Sequence, residues 1–183
     1  MRNLIYAINL TADGCSDHTK VGGSEEMLEY YTNFFHNIDL IVYGRTTHEL
    51  MIPYWPNVIN DPSSTKAEVD FAKTFGAINK VVFSRTLESV EANARIAREN
   101  PGDEIRKLKQ QPGKNISVGG VDLPSQLIEL GLIDEFYFVI HPFIAGEGRR
   151  LFDHASLRER LSLKLVDTKT FKSGAVALHY LKQ

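Results

Sequence analysis

The stretch Asn115–Leu130 reads NISVGGVDLPSQLIEL, and the order of its residues decides the fold. Its apolar beginning predicts a buried strand that ends at Val118, and Gly119 with Gly120 predicts a tight turn. Asp122 is placed to begin a helix with one apolar face. This geometry suits a phosphate group, because unpaired N–H groups and the helix dipole both favour an anion. Most such turns are only tight connections, so the rest of the chain must decide.

The composition predicts one globular domain over residues 1–183. Hydrophobic residues make up 43% of the chain and charged residues 24%, which is ordinary for a soluble protein. The net charge of −2 argues against a broadly basic surface for nucleic acid. The chain contains no apolar run of membrane-spanning length and starts without an apolar signal core. We therefore expect a cytoplasmic protein that binds neither nucleic acid nor membranes.

Cys15 is the only cysteine, so an internal disulfide and a Cys₄ zinc site are both excluded. It is either a nucleophile with His18 as its base or simply a free thiol, and the free thiol is the more economical interpretation. The six histidines lack the HExxH spacing of zinc hydrolases, so no metal site is predicted.

Apolar runs alternate with helical patterns along most of the chain, which predicts an α/β fold. The central strands should be buried on both faces, and two further strands should close the chain as an antiparallel hairpin. The result is a three-layer α/β/α arrangement around a mixed, mostly parallel sheet. The predicted strands are Asn3–Leu10, Asp39–Tyr43, Lys80–Phe83, Asn115–Val118, Ile133–Ile140, Leu163–Phe171 and Ala175–Leu181.

Helix starts are predicted at Ser24, at Thr65 through a capping box, and at Asp103. His48–Pro56 carries two prolines and is predicted to be a stiff loop. Glu88–Asn100 has no clean periodicity and is given no regular structure.

Two further strand ends carry groups that suit an anion. Gly44–Thr47 offers a glycine, a guanidinium and two hydroxyls, and its alternative is a plain turn with an N-capping threonine. In Ser84–Thr86, Arg85 is either a partner for a 2′-phosphate or a surface arginine beside a turn. The carboxyl ends of parallel strands share one edge, so these turns and Gly119–Gly120 should lie together. Their convergence predicts a nucleotide cofactor.

With these motifs the chain resembles the dihydrofolate-reductase-like family, and most closely the stand-alone relatives of the reductase domain of riboflavin-biosynthesis proteins. The resemblance covers nearly the whole chain. The matching positions, in family order, are Thr11–Gly14, Val42–Glu49, Val81–Thr86, Ile116–Gly120, Gly131–Glu135, Pro142, Gly146, Gly148 and Phe152.

The resemblance implies an NADPH-dependent reductase, and a homodimer. It places Asp13 near the nicotinamide and the substrate. The positions that it implies for the adenosine and 2′-phosphate are Gly44, Arg45, Thr46, Thr47, Ser84, Arg85 and Thr86, and those for the pyrophosphate are Val118, Gly119 and Gly120.

Two positions depart from the family. Where dihydrofolate reductases have an acid on the first helix, this chain has Leu28, flanked by Glu26 and Glu29. Where riboflavin-pathway reductases have a lysine on the first strand, this chain has Ala7. The substrate therefore stays open.

The leading hypothesis is hydride transfer from NADPH to a small heterocyclic substrate, of ribosylamino-pyrimidine or pterin type. Asp13 and then Glu26 are the candidate proton donors, and Asp13 is equally well explained as a turn residue. Tyr31 and Trp55 are predicted to wall the substrate pocket, with core packing as their alternative. The competing function is a non-catalytic, dimeric module that binds a nucleotide or pterin.

Overall fold

The computed structural model describes residues 1–16, 23–153 and 157–183. Within them the chain forms eight strands and five helices. The strands are β1 (Leu4–Thr11), β2 (Ile38–Gly44), β3 (Asn79–Phe83), β4 (Ala94–Ala97), β5 (Asn115–Val118), β6 (Glu135–His141), β7 (Leu163–Thr170) and β8 (Val176–Lys182). The helices are α1 (Glu25–Phe35), α2 (Arg45–Val58), α3 (Lys66–Ala77), α4 (Pro101–Gln110) and α5 (Asp122–Glu129). None of these helices is long and apolar enough to cross a membrane.

All eight strands belong to one sheet in the order β4-β3-β2-β5-β1-β6-β8-β7. The first six are parallel, whereas β8 pairs antiparallel with β6 and with β7. The stretch that opened the sequence analysis supplies β5, which lies between β1 and β2 near the middle of the sheet. The predicted mixed, mostly parallel sheet with a terminal hairpin is confirmed.

Helices cover both faces of the sheet and bury the central strands. Residues of α4 and α5 pack with β1, β5 and β6 on one face, and residues of α1 and α3 pack with β2 and β3 on the other. Leu4 and Tyr6 of β1 and Val118 of β5 are fully buried. A strand that is covered on both faces has to be apolar along its length, which explains the continuous apolar runs.

Two predicted helix starts are confirmed in detail. The Ser24 hydroxyl accepts from the Met27 N–H, and Thr65 forms a complete capping box with Glu68. The prediction for α4 was wrong by three residues, because the Asn100 side chain caps the helix and Asp103 lies in its first turn.

The predicted loop at His48–Pro56 is instead part of α2, which runs through both Pro53 and Pro56. Each proline removes one helical N–H, but helix interiors tolerate this where tertiary packing compensates. Here Trp55 packs on Phe71 of α3, with ring centroids 4.4 Å apart. The packing of α2 on α3 therefore outweighs the helix-breaking tendency of the two prolines.

Strand β4 was missed, because the segment Glu88–Asn100 shows no period on its own. The strand has only four residues and pairs only with β3, at the edge of the sheet. Neighbouring structure determines such a short edge strand more than its own sequence does.

Candidate functional site

The carboxyl ends of the parallel strands form one edge of the sheet, which we call the carboxyl edge. Its strand ends are Thr11, Gly44, Phe83, Ala97, Val118 and His141. The three turns that were predicted to bind an anion follow β2, β3 and β5, which are direct neighbours in the sheet. The prediction that these turns share one edge is confirmed.

The turn at Gly119–Gly120 is held in place by the strands on either side of it. The Gly119 N–H donates to the Val42 carbonyl at 3.0 Å, and the Tyr6 hydroxyl donates to the Gly120 carbonyl at 2.9 Å. Gly120 has a φ of +91°, and a Cβ there would lie 2.8 Å from the Thr47 hydroxyl. Only glycine fits this position, and the contact brings the β5 turn against the first turn of α2.

Both helices that leave this part of the edge start without a side-chain cap. Gly44 is the N-cap of α2 and Val121 is the N-cap of α5, and neither cap accepts a side-chain hydrogen bond. The alternative interpretation of Gly44–Thr47, an N-capping threonine, is therefore wrong, because Thr46 and Thr47 lie inside the helix. In contrast, side chains cap α1, α3 and α4. A helix N-terminus without a side-chain cap is suited to bind an anion.

The turn after β3 is built around Ser84. Its hydroxyl accepts from the backbone N–H groups of Thr86 at 3.2 Å and Leu87 at 2.9 Å. Arg98 donates to the Ser84 carbonyl at 3.0 Å and to the Leu87 carbonyl at 2.6 Å. Sequence analysis missed Arg98 because it follows the missed strand β4.

The two arginines of the predicted cofactor positions differ in their surroundings. The Arg45 guanidinium pairs with Glu49 at 3.2 Å along the exposed face of α2. Arg85 is exposed and forms no hydrogen bond or ion pair with another described residue. Its charge is therefore not offset by a partner within the described part of the chain.

Asp13 anchors the loop that follows β6. The Thr11 hydroxyl donates to its carboxylate at 2.5 Å, and the backbone N–H groups of Ala145 and Gly146 each donate at 3.0 Å. These bonds, that of Thr11 first, hold the pKa of the Asp13 carboxyl well below its ordinary value. A carboxyl group that keeps its charge so firmly is a poor proton donor, so the contacts favour the structural interpretation of Asp13.

Glu26 contacts the terminal hairpin. Its carboxylate accepts from the Lys172 N–H at 2.9 Å and lies 3.8 Å from the Lys169 ammonium group. These bonds attach the first turn of α1 to the β7–β8 turn. Leu28 packs against the apolar cluster that residues of β2, β3 and α3 form.

Tyr31 takes part in a polar chain that sequence analysis did not find. Its hydroxyl donates to Asn9 Oδ1 at 3.2 Å, and His141 Nε2 lies 3.1 Å from the same oxygen. Burial raises the pKa of Tyr31 and lowers that of His141, so both groups stay neutral. The sequence feature that could have indicated this polar chain is Asn9, whose carboxamide lies within an otherwise apolar strand.

Trp55 lies between α2 and α3, where it contacts Tyr54 and Phe71. It is ten residues beyond the start of α2, which corresponds to about 15 Å along the helix axis. These contacts favour the core-packing alternative over a wall of the substrate pocket.

Three buried polar atoms near α2 have no hydrogen-bond partner among the described residues. They are the Tyr43 hydroxyl, His48 Nδ1 and Glu91 Oε1. His48 Nε2 lies 3.7 Å from the Glu91 carboxylate, and the Tyr43 and His48 rings are 5.9 Å apart. Burial and the Glu91 charge raise the pKa of Tyr43. Native proteins retain such atoms at functional sites or around ordered water.

Cys15 is fully buried, with its sulfur 3.8 Å from the Asp13 carboxylate and 4.0 Å from the Gly148 carbonyl. His18, its predicted base, lies outside the described residues. The described residues contain no group of three or more His, Cys, Asp and Glu side chains placed to bind a metal ion.

Comparison with known proteins identifies the family. The RibD C-terminal domain profile matches residues 2–177, so this chain belongs to the RibD C-terminal domain family. It is also 40% identical over 151 residues to the uncharacterized protein YyaP of Bacillus subtilis, covering 82% of this chain and 77% of YyaP.

Solved structures support the fold. A protein from Shewanella sp. PV-4 that is assigned to riboflavin biosynthesis superimposes with a TM-score of 0.72 at 16% identity, covering 100% of this chain and 99% of that one. The deaminase/5-amino-6-(5-phosphoribosylamino)uracil reductase of Thermotoga maritima superimposes with a TM-score of 0.68 at 14% identity. This chain covers 57% of that longer protein. The predicted dihydrofolate-reductase-like fold is confirmed.

Proposed function

We propose that this protein is an NADPH-dependent reductase that acts on a small heterocyclic substrate of the ribosylamino-pyrimidine or pterin type. One observation carries the proposal, namely the pair of uncapped helix N-termini that follow the neighbouring strands β2 and β5. Thr47 packs against Gly120, so the two N-termini meet at one place. Two adjacent helix N-termini without side-chain caps suit the linked phosphates of a dinucleotide.

Different residues at the carboxyl edge would bind different parts of the cofactor. The first turn of α2 and Gly119–Gly120 would hold the pyrophosphate, because the absence of a Cβ at Gly120 lets the glycine turn meet Thr47 at the start of α2. Arg85 would pair with the 2′-phosphate, because its guanidinium has no described partner. Bound NADPH would supply the hydride. The protein would orient the two reactants and exclude water.

The proton for the reduced substrate needs a separate source. Asp13 is held in its charged form, and Glu26 is bonded to the terminal hairpin. We therefore assign the proton to an ordered water molecule rather than to either carboxyl group.

Calorimetric titration with NADPH, with NADH as control, tests the proposal. We expect NADPH to bind about tenfold or more tightly than NADH, because one additional charge-assisted bond contributes about 1.5–3 kcal/mol. Arg85→Ala should remove most of this preference, whereas Arg85→Lys should retain part of it. Failure of the wild-type protein to bind NADPH would exclude the proposed function.

The second candidate is a binding module without turnover. Leu28 favours it, because that position on the first helix carries an apolar side chain packed into the core. Loss of near-ultraviolet absorbance by the reduced nicotinamide, followed across pterins, folates and pyrimidines, distinguishes the two. Binding of NADPH without oxidation by any of these compounds would favour the module.

A further inference from the structure

The loop 143–150 crosses the carboxyl edge from the end of β6 to the start of α5. Its backbone is fixed at several points on the segment that follows β1. The Ala12 N–H donates to the Phe143 carbonyl at 2.9 Å, and Asp13 holds the N–H groups of Ala145 and Gly146. A β-bridge between Cys15 and Arg150 completes the attachment. The loop therefore has a defined path over the end of β1.

This path places the guanidinium of Arg149 at the N-terminus of α5. The Arg149 carbonyl accepts from both the N–H and the hydroxyl of Ser16, at 2.8 and 3.1 Å. The side chain then reaches Asp122, the first residue of α5, with one nitrogen 3.2 Å from Oδ2 and the second bonded to Oδ1. Asp122 is only two residues beyond Gly120.

Charge explains why a guanidinium is needed here. An anion at Gly119–Gly120 would be attracted by the uncapped N-terminus of α5 but repelled by the carboxylate of Asp122. Arg149 offsets that carboxylate, and its planar group can also bind phosphate oxygens in pairs. The side chain is 48% exposed, so it can turn toward a ligand without unpacking the core.

We infer that Arg149 is a phosphate-binding residue of this site, which pairs with Asp122 in the free protein and contacts both Asp122 and the pyrophosphate of the dinucleotide in the complex. The inference rests on the proposed function and extends it to a residue outside the three turns. Arg149 would contact a part of the cofactor that NADPH and NADH share, whereas Arg85 would contact the 2′-phosphate that only NADPH has.

The matched control is Arg106, which pairs with Asp103 on α4. The Arg106 and Asp103 side chains are 49% and 65% exposed, nearly the same as the 48% and 64% of Arg149 and Asp122. Arg106 lies on α4, the helix that precedes β5, whereas the glycine turn follows β5. Its substitution measures the effect of losing a similar surface ion pair.

The experiment is calorimetric titration of the full-length wild-type protein, Arg149→Ala, Arg149→Lys and Arg106→Ala with NADPH and with NADH. We expect Arg149→Ala to weaken both cofactors about tenfold or more, without changing their ratio, and Arg149→Lys to lose less. Arg106→Ala should stay within about twofold of wild type. Circular dichroism confirms that each variant is folded.

Two results would overturn the inference while leaving the proposed function intact. One is wild-type affinity in Arg149→Ala, and the other is a loss confined to NADPH, which would assign Arg149 to the 2′-phosphate. If the wild-type protein binds neither cofactor, the proposed function itself fails and the inference fails with it.

Discussion

The two edges of the sheet both carry polar groups but use them differently. At the amino edge, where the parallel strands begin, Arg2 pairs with Asp39, and Lys109 pairs with Asp134 at 2.5 Å. The same groups also bind backbone atoms, since Arg2 donates to the Lys114 carbonyl and Asp134 accepts from the Leu4 N–H. The side chains of Arg2 and Lys109 are almost fully buried. The charges at this edge are therefore satisfied within the chain.

At the carboxyl edge, several polar groups face outward or lack a partner. Two helix N-termini are uncapped, Arg85 is exposed, and the Tyr43 hydroxyl is buried without a described partner. Leaving the buried Tyr43 hydroxyl unsatisfied costs free energy, whereas the exposed groups are hydrated. The amino edge therefore uses its charges for stability, and the contrast supports the proposal that the carboxyl edge keeps polar groups for a ligand.

We expect the largest loss of stability when a buried ion pair of the amino edge is removed. Lys109→Ala leaves the Asp134 carboxylate without its ammonium partner and should lower the free energy of unfolding by about 3 kcal/mol. This value is at the lower end of the losses expected when one partner of a buried ion pair is removed, because water reaches the Asp134 side chain, which is 34% exposed. Urea denaturation followed by circular dichroism measures the change. Cofactor affinity of the folded variant should not change.

Lys107→Ala is the control on the same helix. Lys107 pairs with Glu99 at 2.6 Å, but both side chains are about 60% exposed. The control should lose much less stability than Lys109→Ala, because water screens an exposed pair. Equal losses in the two variants would show that the ion pair of Lys109 contributes no more than a surface pair, and would contradict the comparison.

Some features of the carboxyl edge could be predicted from the sequence, and others could not. The strand ends with glycines, hydroxyls and arginines could be recognised from short stretches of sequence. Their convergence could also be predicted, because parallel strands bring their carboxyl ends to one edge of the sheet. The chain Tyr31–Asn9–His141 joins residues 22 and 132 positions apart, and no local pattern encodes such a contact. A turn role for Asp13 was available from the sequence, but its attachment to the loop after β6 was not, since two of its donors come from that loop.

We expect an intermediate loss of stability when Asp13, which anchors a loop of the carboxyl edge, is replaced. Asp13→Asn removes the charge that the Thr11 hydroxyl and two backbone N–H groups stabilise, so the melting temperature should fall by a few degrees. The folded-state pKa of Asp13 is depressed, so its contribution is fully present above the unfolded pKa of about 3.9 and is lost as the pH falls below it.

Thermal unfolding of the wild-type protein and Asp13→Asn between neutral and acidic pH tests this dependence. The difference in melting temperature should be constant from neutral pH down to about pH 5 and should shrink below about pH 4. A difference that grows in acid would contradict the assigned contacts. Asp61, whose pKa is also lowered but by bonds to the nearby Ser63, provides a control through Asp61→Asn.

The smallest effect should come from Tyr43→Phe, although Tyr43 is only 1% exposed. Its hydroxyl has no described partner, so removing it should be neutral or should stabilise the protein by up to about 1 kcal/mol. Tyr6 is the matched control, because its hydroxyl is equally buried but donates to the Gly120 carbonyl at 2.9 Å. Tyr6→Phe should cost about 1 kcal/mol. Urea denaturation compares them, and a loss in Tyr43→Phe as large as that in Tyr6→Phe would show that the Tyr43 hydroxyl is bonded in solution, through water held with His48 and Glu91.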